Sequence, residues 1–230
     1  MKPWRQLRWS IPPKANAGFV AQMEDVLAIY TRAYDPRYPQ VCLDETSRQV
    51  LGDVREPLVP APRRPRREDD EYARHGVCNL FVVCEPLRGW RHVAVTDRRT
   101  LQDWAHLVRE LVDVRYPQAE RLVLVLDNLN IHAPAALYAT FPPAEARRLV
   151  EQLEVHYTPK HGSWLNIAEL ELSALSGQCL NRRFRNRASL EQAVAAWEAT
   201  HNAEQTTVDW RFTTADARIK LSHLYPSLQL

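Results

Sequence analysis

The sequence predicts a layered α/β domain, a mixed sheet flanked by helices, on three observations. Residues 121–127 hold an uninterrupted apolar run that ends on Asp127, the mark of a central strand covered on both faces. Residues 79–84 and 92–96 are two further apolar segments joined through Pro86 and Gly89, as in a hairpin. Around them, stretches with apolar residues at intervals of three and four predict helices, so strands alternate with helices along the chain.

Taken in order, residues 4–9 (Trp-Arg-Gln-Leu-Arg-Trp) and Pro12-Pro13 read as an arm, because two prolines cannot sit inside a regular element. From Ala15 to Tyr34 the apolar residues Phe19, Val20, Met23, Val26, Leu27 and Tyr30 define an amphipathic helix, closed by Asp35-Pro36 and Tyr38-Pro39. Val41-Cys42-Leu43 is a short buried strand whose end delivers Asp44. Residues 55–71 lose all periodicity: Arg55, four prolines, Arg63, Arg64, Arg66 and Arg67 precede Glu68-Asp69-Asp70-Glu71. This is a long exposed loop whose charges either close on one another or meet phosphates.

Thr100 is placed to cap a helix through Trp104, Leu107, Val108, Leu111 and Val112 that stops before Pro117. A proline-interrupted helical stretch from Ala133 to Leu153 follows the central strand, and residues 154–157 form another strand. Ser163 is the expected N-cap of a long helix from Trp164 to about Leu180. Helices over 189–201 and 212–224 complete the chain, which contains no internal repeat.

With 230 residues, 45% of them hydrophobic and 25% charged, the chain can bury a full core, which excludes a disulfide miniprotein or a disordered chain. The apolar runs are too short to span a bilayer and no signal-peptide core follows Lys2, so a soluble cytoplasmic protein is expected. A net charge of +2 does not by itself argue for a polyanionic partner. Cys42, Cys78, Cys84 and Cys179 lack metal-ligand spacing and sit in apolar surroundings, as reduced structural residues. No glycine-rich dinucleotide turn, P-loop or nucleophile elbow is present.

In layered α/β sheets ligands collect at the carboxyl ends of strands, where both Asp44 and Asp127 stand. A carboxylate there is costly without a cation or donors, and magnesium is the natural counter-ion, since it binds one or two carboxylates together with substrate phosphates. Glu169 and Glu171 compete for a third position. They point about 200° apart on a helix, and Glu169 borders the apolar stripe of Leu165, Ala168, Leu172 and Leu175, about 40° from Leu165. Glu169 is therefore the candidate, and Glu171→Ala is expected to be mild. Glu45, next to Asp44 on a strand, points to the opposite face and is not expected to be a ligand.

Asp44 is followed by Asp127 83 positions on and by Glu169 after another 42. The surrounding segments are Leu43-Asp44-Glu45, Leu126-Asp127-Asn128-Leu129-Asn130-Ile131-His132 and His161-Gly162-Ser163-Trp164-Leu165-Asn166-Ile167-Ala168-Glu169. In this order the chain closely resembles the DDE transposases of bacterial insertion sequences, in the branch related to mariner elements. The resemblance runs from about Lys2 to Leu224 and includes Asn79-Leu80-Phe81 and Thr213-Thr214-Ala215-Asp216-Ala217-Arg218-Ile219-Lys220.

That resemblance implies a ribonuclease H-like catalytic domain over 41–224, preceded by an arm and leading helix over 1–40 and followed by a tail over 225–230. It implies that Asp44, Asp127 and Glu169 are catalytic and hold two divalent cations, Mg2+ or Mn2+. The implied activity is cleavage at insertion-sequence ends followed by attack of the freed 3′-hydroxyl on target DNA, usually at a TA dinucleotide, by a homodimer on DNA. Such a protein is cytoplasmic and associated with the nucleoid when bound. End recognition in the family comes from N-terminal helix-turn-helix domains; this chain is expected to begin beyond them and to rely on a module encoded elsewhere, or to be a truncated copy. His201-Asn202 stands where an aromatic-Asn pair is expected. The rivals are a non-transposing ribonuclease H-like nuclease and a catalytically silent DNA-binding derivative.

Further residues are candidates for DNA contact or for support of the carboxylates. Asn128 and His132 follow Asp127 and either serve the site or shape a turn. Lys160 and His161 precede the Glu169 helix, whose N-terminal end suits a phosphate. Trp164 is assigned to core packing. Arg182, Arg183, Arg185 and Arg187, four arginines in six residues, suit a phosphate backbone.

Overall fold

A computed structural model describes residues 11–226 apart from 13, 56, 57, 59, 66, 68, 69, 130 and 131; the arm at residues 4–9 lies outside the described residues. The element order is α1 (Ala17–Tyr30), β1 (Gln40–Asp53), β2 (Tyr72–Glu85), β3 (Trp90–Thr96), α2 (Leu101–Glu110), β4 (Leu122–Leu126), α3 (Pro134–Thr140), α4 (Pro143–Glu151), β5 (Leu153–Tyr157), α5 (Ala168–Leu175), α6 (Arg187–Glu204) and α7 (Thr214–Lys220). The strands form one mixed sheet in the order β3-β2-β1-β4-β5. β1, β2 and β3 run antiparallel as a meander, while β1, β4 and β5 are parallel.

Two elements differ from the sequence expectation for identifiable reasons. β1 is a 14-residue strand and not a short one, because beyond Asp44 its polar residues still pair with β2, from Thr46 opposite Leu80 to Asp53 opposite Tyr72. Only its first half is apolar, so hydrophobicity alone stops at Leu43. The helix expected from Trp164 is broken. Ser163–Leu165 is a single 3-10 turn without a side-chain cap, Asn166 is extended, and α5 starts only at Ala168 before ending in a π turn over Ser176–Leu180. The stretch after β4 resolves into α3 and α4, each with proline in its first turn. Thr100 caps α2 as expected, through a capping box with Asp103.

Strand alternation sorts the core into two layers. Val41, Leu43, Phe81, Val83, Leu122, Leu124 and Leu126 face α2, α3 and α4 around Trp104. Cys42, Cys84, Val123 and Val125 face the opposite way, against α1 and the segment before α5, and Leu80, Val82 and Val93 pack on that side under α5 and α6. All four cysteines are free and buried. No helix among the described residues is long and apolar enough to cross a membrane.

The free edge of β3 is covered by α6 side chains rather than by another strand. Glu198 accepts from the backbone N–H of Val93 at 3.0 Å, Asn202 both accepts from Arg91 N at 2.7 Å and donates to Arg91 O at 2.8 Å, and Arg187 donates to Val95 O at 2.9 Å. These bonds satisfy alternate residues of an edge that would otherwise template pairing with another chain. Asn202, the second half of the unexpected His-Asn pair, thus has a structural role.

Candidate active site

The alternation of β1 decides what its two acidic residues can do. Leu43 points into the layer of α2 to α4, so Asp44 points to the other face, toward α5, and Glu45 returns to the first. Asp44 is buried; its Oδ1 accepts from Glu45 N at 2.8 Å, and Asn166 Nδ2 stands 3.4 Å from its Oδ2. Asp127 leaves the end of β4, beside β1 in the parallel part of the sheet. Glu169 stands exposed in the first turn of α5.

Other carboxylates bear on Asp44. Burial is the main reason that the Asp44 carboxyl is pushed up to about 7, and repulsion from Glu169, Asp127 and Glu45 adds to it against the Glu45 N–H. The charges acting most strongly on Asp44 are therefore all negative. A folded-state value raised above the ordinary carboxylate range means that ionising Asp44 costs stability as pH rises from about 4 to about 7. In chelator, Asp44→Asn will raise the melting temperature above that of the unsubstituted chain at pH 8 and leave it nearly unchanged at pH 4; the same difference at both pH values would contradict the raised Asp44 carboxyl.

Asn166 links the first and third carboxylates. Its Nδ2 donates to Leu43 O at 2.9 Å and its Oδ1 accepts from Ala168 N at 3.1 Å, so one buried amide ties β1 beside Asp44 to the start of the helix that carries Glu169. Glu169 N in turn donates to Asn166 O at 3.0 Å. Asn166→Ala leaves a buried carbonyl and a helix-start N–H without partners and will cost about 2 kcal/mol in urea unfolding. Its placement in Trp-Leu-Asn-x-x-Glu was visible in the sequence; its bonding was not.

On the other face Glu45, His132 and Asp127 form a second cluster, with one ligand-capable atom each within 4.8 Å of the others. His132 Nδ1 lies 2.7 Å from Asp127 Oδ1 and Nε2 lies 3.1 Å from Glu45 Oε2. Burial opposes charge on this imidazole, but the hydrogen bonds to Asp127 and Glu45 prevail and hold it up at about 9. Two carboxylates thus flank one imidazole, and among the described residues these three are a group whose ligand-capable atoms lie close enough together to share a metal ion. On the opposite face, the charges that act most on Asp44 are the carboxylates of Glu169, Asp127 and Glu45.

Lys160 and His161 are exposed in the turn after β5; Gly162 N donates to Pro159 O at 2.7 Å, and His161 adopts a left-handed φ of 66°. The turn is tied to the end of β4 by Thr158 N donating to Leu126 O at 2.9 Å, which keeps it on the same side of the sheet as Asp127. Asn128 is exposed next to Asp127. Trp164 packs edge-on against Phe212 at 6.0 Å, as core.

The arginines are elsewhere. Arg183 pairs with Asp53 at 3.0 Å, nine residues along β1 from Asp44 and about 30 Å away by strand rise. The Arg182 guanidinium lies 5.1 Å from the Phe184 ring centroid, and Arg182 O accepts from Arg48 at 3.2 Å. Arg185 is exposed beside them, and Arg187 belongs to the β3 edge. Arg183 and Arg185 thus sit at the far end of the β1–β2 hairpin, by Asp53 and Gly52, while Arg182 lies beside Arg48 and Arg187 beside Val95.

Residues 39–191 match the family of DDE superfamily endonucleases. The chain belongs to that family. Its fold is ribonuclease H-like, similar to solved structures described as the Mos1 mariner paired end complex with Mn (18% identity, TM-score 0.55, covering 88% of this chain and 62% of that one) and the Mos1 strand transfer complex (16% identity, TM-score 0.58, covering 88% and 60%). The Mos1 paired end complex with Mg is similar at 16% identity and TM-score 0.55, covering 97% of this chain and 67% of that one. The chain spans about three-fifths of the length of the first two. No curated protein matches it.

Proposed function

We propose that this DDE endonuclease is the catalytic domain of a transposase, a divalent-metal-dependent enzyme that cleaves DNA at the ends of an insertion sequence and joins the 3′-hydroxyl to target DNA. What supports the reading is the match of residues 39–191 to the DDE superfamily endonucleases, together with the three carboxylates Asp44, Asp127 and Glu169 in β1, after β4 and in α5, the latter two of which add repulsion to the buried Asp44. These three carboxylates would hold two cations, Mg2+ or Mn2+. When bound, such ions supply Lewis-acid activation of the attacking hydroxyl and charge stabilisation for the departing 3′ oxygen.

The chain's own residues do the rest. Asp44 is fixed by β1 and the Asn166 amide, while exposed Glu169 has room to adjust as substrate enters. Lys160 and His161 lie in a turn suited to holding a phosphate near Asp127, and Asn128 is placed to contact the same strand of DNA. Arg182, Arg183 and Arg185 are assigned to DNA farther along the hairpin. The similar Mos1 structures are described as paired end complexes with Mn or Mg and as a strand transfer complex, and we assign this chain DNA as its partner, with a homodimer as the working form. We place the catalytic unit at 41–224, with end recognition by a helix-turn-helix module on this polypeptide or another.

The test is a cleavage and strand-transfer assay on insertion-sequence end DNA in Mg2+ or Mn2+. Glu169→Ala should abolish both steps. Cleavage without joining by the unsubstituted chain would make it a nuclease, and full activity in the variant would remove Glu169 from the site.

A further inference from the structure

The carboxylate mechanism uses Asp44 and leaves its neighbour Glu45 unexplained. Glu45 has a side chain only 1% exposed, and its Oε1 lies 3.6 Å from Arg99 while Oε2 faces His132 at 3.1 Å. The His132 ring is wholly buried, and the backbone that carries it is tied down: the His132 backbone N–H donates to Leu129 O at 3.0 Å and its backbone carbonyl accepts from Tyr157 Oη at 2.6 Å, while the Trp104 ring lies 5.9 Å from the imidazole, centroid to centroid. With a carboxylate oxygen on each nitrogen, the ring cannot turn without losing both.

The consequence falls on Asp127. Its side chain is 29% exposed overall, yet Oδ1, the oxygen that meets His132, is buried. The exposed part of the side chain is therefore the part turned away from His132. β1 thus presents Asp44 on one face and, on the other, sets Glu45 against the histidine that meets Asp127.

We propose that Glu45 is a positioning residue that acts through His132 to fix which oxygen of Asp127 is presented to the metal-binding side. The proposal rests on the carboxylate reading above. Outer-shell partners of this kind typically change metal affinity by about 10- to 100-fold.

Mn2+ affinity of the metal-free chain, measured by titration calorimetry or by electron paramagnetic resonance, tests it without substrate. Glu45→Ala should weaken binding by about 10-fold or more, Glu45→Gln should stay within about threefold of the unsubstituted chain, and Glu45→Ala should have no further effect on a His132→Ala background. Should Glu45→Ala not fold, the shape-preserving pair Glu45→Leu with His132→Phe removes both polar partners at once and should fold yet lose affinity equally. Unchanged affinity in either folded variant, or additive losses from Glu45 and His132, would overturn the proposal. A loss in Glu45→Gln as large as in Glu45→Ala would overturn it too, by making Glu45 a charge-bearing ligand. Asp127→Asn separates the two levels: if it retains the ion, the carboxylate reading itself fails, and if it alone loses the ion, only the positioning role falls.

Discussion

Asp127→Asn will lower metal-dependent DNA cleavage by about a thousandfold or more, ~4 kcal/mol of transition-state stabilisation, while DNA affinity in chelator stays within about threefold. The substitution keeps the size of the side chain and the strand that carries it, and removes the one charge that both clusters share. On one side Asp127 adds to the repulsion on Asp44; on the other it pairs with His132 at 2.7 Å. Loss of that second contact adds a stability cost of about 1–3 kcal/mol, because a buried imidazole loses a charged partner. Cleavage rates must therefore be taken on folded protein, with thermal unfolding of each preparation measured alongside. Cleavage within tenfold of the unsubstituted chain would remove Asp127 from the site.

Glu171→Ala will lower the unfolding free energy by about 3 kcal/mol, with little effect on cleavage per folded molecule. Glu171 Oε2 meets Arg91 Nε at 2.7 Å, and the two side chains are 8% and 6% exposed. Arg91 also donates to Gly89 O at 2.8 Å and to Thr206 O at 3.0 Å, so it ties the β2–β3 turn to the segment after α6. Removing the glutamate strands a buried guanidinium with two neutral acceptors, which places the cost at the low end of that for broken buried ion pairs. Urea unfolding should show a lower midpoint with an unchanged slope. The mild effect expected from sequence concerns cleavage and does not extend to stability; an unchanged midpoint would mean that the pair does not form.

These two glutamates show where reading the sequence succeeds and stops. Helical arithmetic separated Glu169 from Glu171 by about 200°, enough to say that only one faces the carboxylate pocket. It could not say that the other faces an arginine 80 positions earlier, because that pairing depends on α5 lying across β2. The same limit explains Asn166. A buried amide that bridges a strand carbonyl and a helix N–H leaves no periodic trace, and the helix expected from Trp164 starts late for that reason.

By itself the sequence determined the α/β layering, the buried β4 with Asp127 at its end, and the hairpin of β2 and β3. Each follows from local apolar period or strand alternation, which the chain carries residue by residue. Tertiary structure alone decided that Arg183 and Arg185 lie at the far end of the β1–β2 hairpin, that Glu45 meets His132, and that Glu171 is buried against Arg91. All three join residues distant in sequence, and which charges meet is fixed by strand order and register once the sheet has formed.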